Sequence, residues 1–246
     1  MNPEVKYIHD TNIHHSKDAD HIVPFLIKIF NPSSVADIGC GLGHFLKAFI
    51  DAGIKDVTGV EGPWLDETKL VIGKELVLIK DLEQRFDLKR RYDMVLCLEV
   101  AEHLNKDSAE QLVEILTSHS DVIIFSAAIP GQGGQNHVNE QWIGYWESLF
   151  DKHEYKMYDI IRPYIWNIPE IFWWYRQNII VCIKSTAEIK FKSGPVNDYI
   201  HPELFLSKVS EVNEYKERVD KIMSGDIEIE LAQAILNSAI KKTKTE

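Results

Sequence analysis

Short apolar segments alternate with helix-like patterns through the first half of the chain. Residues 35–38 are mostly apolar and include β-branched Val35 and Ile38, as is typical of a buried strand, and the apolar residues of 45–50 recur at helical spacing. Similar patterns predict further strands at 57–61, 76–79, 92–98 and 121–126, and a helix at 107–116. The predicted order therefore begins with a strand, a glycine-rich loop and a helix.

Three glycines separate the first predicted strand from the helix that follows it. Gly39, Gly41 and Gly43 alternate with Cys40 and Leu42. Because glycine has no Cβ, a ligand can approach this backbone closely and φ can be positive. The N–H groups at the start of the next helix favour a polar or anionic group in the same space. Such loops also occur as plain tight turns, so the glycines alone do not identify a binding site.

Acidic residues after the later strands make the pattern more specific. Glu61 ends the second strand about 20 residues after the glycines, where a ribose-binding acid is expected. Asp81 follows the third strand, and the segment Glu-Val-Ala-Glu-His-Leu at 99–104 follows the fourth. In this order, the four elements resemble the class I S-adenosylmethionine-dependent methyltransferases over residues 20–130. A nicotinamide-binding domain, the alternative, expects Gly-x-Gly-x-x-Gly, whereas the third glycine here comes one residue earlier.

The resemblance implies both a fold and a cofactor site. The expected fold is α/β, a doubly wound, Rossmann-like and mostly parallel sheet of about seven strands. Glu61 would accept hydrogen bonds from the ribose hydroxyls, Asp81 would bind the adenine amino group, and Glu99 would lie near the methionine half. Trp64 either covers the adenine or simply packs. The predicted S-adenosylmethionine-binding residues are Asp37, Gly39, Gly41, Gly43, Glu61, Gly62, Trp64, Asp81, Leu82 and Glu99.

The polar loop after the fifth strand, at 127–142, is the most individual part of the sequence. Loops at this edge of the sheet carry function in α/β enzymes. Because histidine titrates near neutrality, His137 is the predicted general base, and Glu140 and His103 are the other catalytic candidates. The alternative is a structural network that shapes these loops and caps the helix predicted at 141–150.

Aromatic residues are concentrated at 146–178, close to arginine and amide side chains. Flat rings and forked donors are what a sugar or nucleotide-sugar pocket uses. With the loop that precedes it, this region resembles methyltransferases encoded with glycan-synthesis enzymes in bacteria and large DNA viruses. The competing interpretation is an aromatic-rich insertion that packs on the sheet. The predicted substrate-binding residues are Asn139, Trp142, Arg162, Trp166 and Arg176.

The predicted organisation has three parts: a cap segment and helix at 1–30, the methyltransferase domain at 31–186, and a helical appendage at 187–246. His14 and His15 either line the cofactor site or belong to a solvated arm. Apolar and charged residues alternate at helical spacing in 202–223 and 227–240, which predicts two amphipathic helices. Such an appendage would mediate homodimer contacts or attach the domain to other glycan-synthesis enzymes.

Composition restricts the partners and the compartment. The net charge of −11 lacks the basic footprint of nucleic-acid binders, so DNA and RNA substrates are disfavoured. No apolar run approaches the length of a membrane span, and the N-terminus lacks the layout of a signal peptide. Cys40, Cys97 and Cys182 lie in or beside apolar strands without metal-ligand spacing, which predicts buried, reduced thiols. A cytoplasmic protein is expected.

The predicted activity is S-adenosylmethionine-dependent O-methylation, with a sugar hydroxyl as the acceptor. The protein would align the reactants, and a base would take the hydroxyl proton. Two alternatives stay open: methylation of a small metabolite or a protein amine, and a cofactor-binding subunit without catalysis. No metal is predicted, because no compact triad of Asp, Glu and His ligands is evident in the sequence.

Overall fold

The computed structural model describes residues 7–10, 16–187 and 196–224, and consists of one sheet flanked by helices. The strands are β1 (Ser34–Ile38), β2 (Asp56–Glu61), β3 (Val77–Ile79), β4 (Met94–Leu98), β5 (Val122–Ser126), β6 (Tyr155–Tyr158) and β7 (Ile180–Lys184). The helices are α1 (Lys17–Phe30), α2 (His44–Asp51), α3 (Ala109–His119), α4 (Ile143–Asp151), α5 (Arg162–Ile165), α6 (Trp173–Asn178) and α7 (Pro202–Met223). Within the described ranges, no helix is long and apolar enough to cross a membrane.

The seven strands form a single sheet in the order β3-β2-β1-β4-β5-β7-β6. All neighbouring pairs are parallel except those of β7, which runs antiparallel to β5 and to β6. The predicted doubly wound, mostly parallel sheet is therefore confirmed. From β1 the chain builds outward through β2 and β3, and then returns to place β4 on the other side of β1. This reversal opens a crevice beyond the carboxyl ends of β1 and β4, where sheets of this kind bind ligands.

Helices cover both faces of the sheet, and they bury β1 and β4 along their whole length. Val35 and Leu96 belong to the core layer that α1 and α2 complete. Ala36 and Cys97 belong to the opposite layer, which α3 and α4 complete. Because adjacent residues of each strand face different layers, the carboxyl ends of the central strands are held from both sides.

The thiols lie where the sequence predicts. Cys40, Cys97 and Cys182 are free and buried, and burial raises the pKa of each thiol well above its usual value. A buried thiol in apolar surroundings is inert, because the thiolate is the reactive form.

The first turn of α7 is anchored on the domain. Leu204 and His201 are buried, and the Arg176 guanidinium pairs with the Glu203 carboxylate. The boundaries of α7 agree with the helix predicted at 202–223. The helix predicted at 227–240 lies outside the described residues, and the three-part division of the chain stays a prediction.

Candidate active site

A cavity of about 380 Å³ lies beyond the carboxyl ends of β1, β2 and β4. Its walls come from the glycine loop, the segment after β4, the loop after β5 and the start of α6. The predicted site residues that line it are Asp37, Gly39, Gly41, Glu61, Trp64, Leu82, Glu99, His103 and His137. The fold thus brings predicted site residues from several parts of the chain into one cavity.

The three positions of the loop are occupied by glycine for different structural reasons. Gly39 has φ +82°, and a Cβ there would stand 2.3 Å from Val100 Cγ2, so this glycine is required by packing. Gly41 also has positive φ, at +54°, but a Cβ there would meet only the His9 imidazole, at 3.4 Å. Because Gly41 lines the cavity, it keeps space open for a ligand. Gly43 precedes α2 as its N-cap and is outside the lining.

Glu61 connects the glycine loop to the end of β2. One carboxylate oxygen accepts a hydrogen bond from the Gly41 N–H, and the other accepts one from the Gly62 N–H, both at 2.8 Å. Burial raises the pKa of Glu61, while these backbone donors and Trp64 act in the opposite direction. A Cβ on Gly62 would stand 2.2 Å from the Trp64 ring, so Gly62 allows the indole to lie beside the acid.

Asp81 and Leu82 lie on different sides of their turn. Leu82 is buried and lines the cavity. Asp81 is exposed, and its carboxylate accepts a hydrogen bond from the Glu83 N–H at 3.0 Å. The structure does not bring Asp81 into the cavity lining, and its adenine-binding role stays a prediction.

Asp37 is buried at the end of β1, inside the cavity. Burial, together with the negative charge of nearby Glu61, raises the pKa of Asp37 to about 8. The carboxyl of the free protein is therefore mostly neutral at pH 7.

This buried acid predicts a pH-dependent stability. In the unfolded chain an aspartate loses its proton near pH 4, whereas folded Asp37 keeps it up to pH about 8. Between these values the unfolded state binds fewer protons, so stability falls as pH rises, by up to about 1.4 kcal/mol per pH unit. Asp37→Asn should flatten the profile and raise Tm at pH 8, by about 2–4 °C for each kcal/mol regained.

The measurement is thermal unfolding of the ligand-free protein between pH 5 and 8.5. Asp51→Asn is the matched control, because it makes the same change at an exposed aspartate outside the cavity lining. It should keep the wild-type profile of stability against pH. Parallel profiles for wild type and Asp37→Asn would contradict the raised pKa.

The N-terminal segment also contributes to the cavity, and its role as a cap stays a prediction. Tyr7 and His9 line it, and the His9 Nε2 atom stands 4.0 Å from a Glu61 carboxylate oxygen. Burial and the charge of Glu102 raise the pKa of Tyr7 to about 12. Neither residue was predicted to line the site, although both lie in the same polar N-terminal segment as His14 and His15. His14 and His15 lie outside the described residues.

Glu99 follows β4 in a strained conformation, with φ +53°. Its carboxylate accepts hydrogen bonds from the Asn178 amide at 3.1 Å and from the Gln132 amide at 3.1 Å. Gln177 donates to Asn178 and to Gln132, so the three amides form one buried network. The network fixes Glu99 at the cavity wall. The amide side chains near the aromatic residues were visible in the sequence, but the link of Gln177 and Asn178 to Glu99 was not.

His137 and Glu140 form a pair within the loop after β5. The His137 Nδ1 atom lies 2.9 Å from a Glu140 carboxylate oxygen. Glu140 also accepts hydrogen bonds from the backbone N–H groups of Gly131, at 2.7 Å, and Gly133, at 2.6 Å. Glu140 therefore holds the glycine-containing loop and orients the imidazole that faces the cavity.

Glu102, His103 and His137 meet at the cavity wall. The rings of His103 and His137 are 4.9 Å apart and nearly perpendicular. Glu102 is 1% exposed, and burial and the charge of Glu99 raise its pKa well above the usual value. One potential ligand atom from each of the three residues lies within 4.8 Å of the others. The sequence shows no compact triad of such ligands, whereas the fold brings one together from two segments that are distant in sequence.

The five predicted substrate-binding residues are outside the cavity lining. Arg162 is buried in an ion pair with Asp159 and donates to two backbone carbonyls. The structure places the others in packing or surface positions: Arg176 pairs with Glu203, Trp166 packs on His201, Asn139 donates to the Ala101 carbonyl, and Trp142 is exposed. The aromatic wall instead consists of Phe172, Trp173, Trp174 and Tyr175.

Comparison with protein families identifies the type of reaction to which this site belongs. A family model described as a methyltransferase domain matches residues 11–164 of the chain. The chain belongs to this family. This methyltransferase uses S-adenosylmethionine as its methyl donor, and the cofactor predicted from the sequence is confirmed. A search of curated proteins found no match.

Solved structures confirm the fold of the methyltransferase. It is similar to the sugar N-methyltransferase KedS8 from a Streptoalloteichus species, with TM-score 0.53 and 14% identity over 70% of this chain and 89% of that one. It is also similar to DesVI from Streptomyces venezuelae, with TM-score 0.52 and 13% identity over 72% and 100%. CalS10 from Micromonospora echinaspora, an amino pentose methyltransferase, has TM-score 0.50 and 14% identity over 70% and 93%.

Proposed function

We propose that this methyltransferase transfers the methyl group of S-adenosylmethionine to a hydroxyl group of a sugar, in a glycan or a nucleotide sugar. One observation carries the proposal: the glycine loop, Glu61 and His137 line a single cavity, and Glu140 pairs with the His137 imidazole. A hydroxyl is a weak nucleophile until its proton is drawn away, whereas a neutral amine is reactive already. An imidazole oriented by a carboxylate suits the more demanding acceptor.

Four residues would hold the cofactor. Glu61 would accept hydrogen bonds from the ribose hydroxyls, while its backbone partner Gly41 leaves room for the methionine portion. Trp64 provides a flat face beside Glu61, and Glu99 provides a fixed carboxylate for the ammonium group. The fit is supported by the open space at Gly41, which a side chain would fill.

Glu61→Ala tests this assignment. The variant leaves the ribose hydroxyls without their acceptor and frees the Gly41 N–H, so binding should weaken by about 1.5–3 kcal/mol, the range for hydrogen bonds to a charged group. Calorimetric titration with S-adenosylhomocysteine measures the change. Glu67→Ala, which removes an exposed acid in the same region, is the control and should bind like wild type. Unchanged affinity in Glu61→Ala would defeat the assignment.

The reaction is an in-line displacement at the sulfonium methyl group, which the bound donor supplies. The chain would align the acceptor oxygen with that methyl group, a contribution of proximity and orientation. His137, held by Glu140, would contact the acceptor hydroxyl and draw its proton away as the carbon–oxygen bond forms. No covalent enzyme intermediate is needed.

The aromatic wall supports a sugar acceptor. Phe172, Trp173 and Trp174 line the cavity, and Phe172 stacks on Trp174 with ring centroids 4.1 Å apart. Flat aromatic faces suit the apolar faces of sugar rings. KedS8 is a sugar N-methyltransferase, and CalS10 is an amino pentose methyltransferase. Their likeness therefore supports the class of acceptor rather than the atom that is methylated.

A panel assay tests the proposal. The protein is incubated with S-adenosylmethionine and separate nucleotide sugars, oligosaccharides, small amines and protein substrates, and release of S-adenosylhomocysteine is followed by mass spectrometry. We expect turnover with one or more neutral sugars. Turnover restricted to metabolite or protein amines would replace the sugar proposal, and the absence of turnover on every class would favour a cofactor-binding subunit.

The cellular setting is a further part of the proposal. Three buried free thiols suit a reducing compartment, which supports a cytoplasmic enzyme. Apolar side chains are exposed along α7, among them Phe205, Val209 and Val212. They support the proposed role of the C-terminal region in homodimer contacts or in attachment to glycan-synthesis enzymes.

A further inference from the structure

We propose that Glu102, His103 and His137 bind a divalent transition-metal cation at the wall of the methyl-transfer cavity. The three residues are the only such group of potential ligands found among the described residues. Binding of the cation is independent of the acceptor, whereas its role in catalysis rests on the proposed function.

The geometry is close to that of a metal site. One ligand atom from each residue lies within 4.8 Å of the other two, and all three residues line the cavity. Ligand atoms bound at about 2.0–2.2 Å stand closer together than this, so metal binding would require the side chains to move together. Two imidazoles and one carboxylate suit zinc, manganese or iron(II), and they leave coordination positions open.

The burial of the Glu102 carboxylate also favours a bound cation. The Glu102 side chain is 1% exposed, and among the described residues neither buried carboxylate oxygen has a hydrogen-bond partner of good geometry. Burying a carboxylate without a partner is costly, and the nearby acid Glu99 adds repulsion to that cost. A divalent cation would offset both effects, because it pairs with the carboxylate and screens it from Glu99.

The surrounding backbone holds the ligands in place. The N–H groups of Val138 and Asn139 donate to the Glu102 carbonyl, at 2.9 and 3.1 Å, and so fix the His137 loop against the Glu102 segment. Glu140 engages the Nδ1 atom of His137, so Nε2, which lies beside Gly134, would be the ligand atom. A carboxylate that orients an imidazole in this way is the usual support of a metal-bound histidine.

A cation here would change how the acceptor is activated. Bound to an open position, the acceptor hydroxyl would lose its proton to water more readily, since a Lewis acid lowers its pKa. The oxygen would then form the bond to the methyl carbon while the carbon–sulfur bond breaks and its electron pair stays on sulfur. With the cation bound, His137 would contribute as its ligand and water would take the proton; without the cation, His137 would act as the base of the proposed function.

Binding is tested directly with tag-free, metal-stripped protein. Mn²⁺ is titrated and followed by electron paramagnetic resonance, and Zn²⁺ is measured by equilibrium dialysis with elemental analysis. We expect one ion per chain, and affinity at least about tenfold weaker in Glu102→Gln and in His137→Ala. His21→Ala, which removes an exposed histidine on α1, should bind the ion like wild type. Glu102→Gln keeps the shape of the side chain. A melting temperature close to that of wild type would show that the variant is folded.

The outcomes separate this inference from the proposed function. No ion bound, or equal binding by Glu102→Gln and wild type, overturns the metal site and leaves His137 as the base. Binding with the expected losses supports the site even where no hydroxyl acceptor is found. Undiminished turnover of an acceptor after chelation, with the ion shown to be removed, overturns the catalytic role of the cation.

Discussion

Gly41→Val is expected to abolish the binding of S-adenosylmethionine while the fold stays intact. The position lines the cavity, and its backbone N–H is tied to Glu61, so added γ-carbons would enter the space that the methionine portion needs. The positive φ of +54° adds strain for any branched side chain. Calorimetry should detect no binding of either S-adenosylmethionine or S-adenosylhomocysteine, and circular dichroism should stay close to wild type.

Gly53→Val is the matched control for this prediction. Gly53 also has positive φ, at +98°, but a Cβ there meets nothing within 4 Å and the residue is outside the cavity lining. The control should lose stability through backbone strain and keep cofactor affinity. Retained binding in Gly41→Val would show that the loop is only a turn.

His137→Ala is expected to lower kcat by about 10²–10⁴, the usual contribution of a group that assists proton transfer. Affinity for S-adenosylhomocysteine should stay close to wild type, because the glycine loop and Glu61 are unchanged. Steady-state kinetics on an acceptor found in the panel, together with calorimetry, separates the two effects.

Two further variants examine how the imidazole works. His137→Asn keeps some hydrogen bonding but cannot take a proton at neutral pH, so it should lose most of the activity. Gly134→Ala keeps the imidazole but displaces it, since a Cβ on Gly134 would stand 2.3 Å from the ring. Near-full turnover in His137→Asn would make His137 a positioning group. The base would then be sought at His103 or Glu140, or at His14 or His15.

The strands and the glycine loop could be predicted because their signals are local. A buried parallel strand needs a continuous apolar run, and a close ligand approach at Gly41 needs the absence of a side chain, so both are visible in the sequence. The position of Glu61 beside the glycine loop was predictable for the same reason, since its distance from the glycines follows from one strand-helix-strand unit, and its ribose-binding role stays a prediction. The lining of the cavity by Gly41 and Glu61 agrees with that expectation.

The aromatic wall of the cavity was less predictable, because it depends on which face of a short helix meets the cavity. Trp173 and Trp174 line the cavity, whereas Arg176, in the same helix, is buried against Glu203 and the Trp166 carbonyl. Composition identified the aromatic and arginine-rich region but could not assign these faces. The approach of His137 to Glu102 depends on backbone hydrogen bonds between distant segments, which no local pattern reveals.

The most direct test of the proposed reaction is the position of the transferred methyl group in the product. S-adenosylmethionine labelled with ¹³C in the methyl group is incubated with the protein and a sugar that carries both a hydroxyl and an amino group, and the product is analysed by NMR and mass spectrometry. The account predicts a labelled methyl ether on oxygen, which is lost in His137→Ala. A label found only on nitrogen, formed at the same rate by His137→Ala, would contradict it.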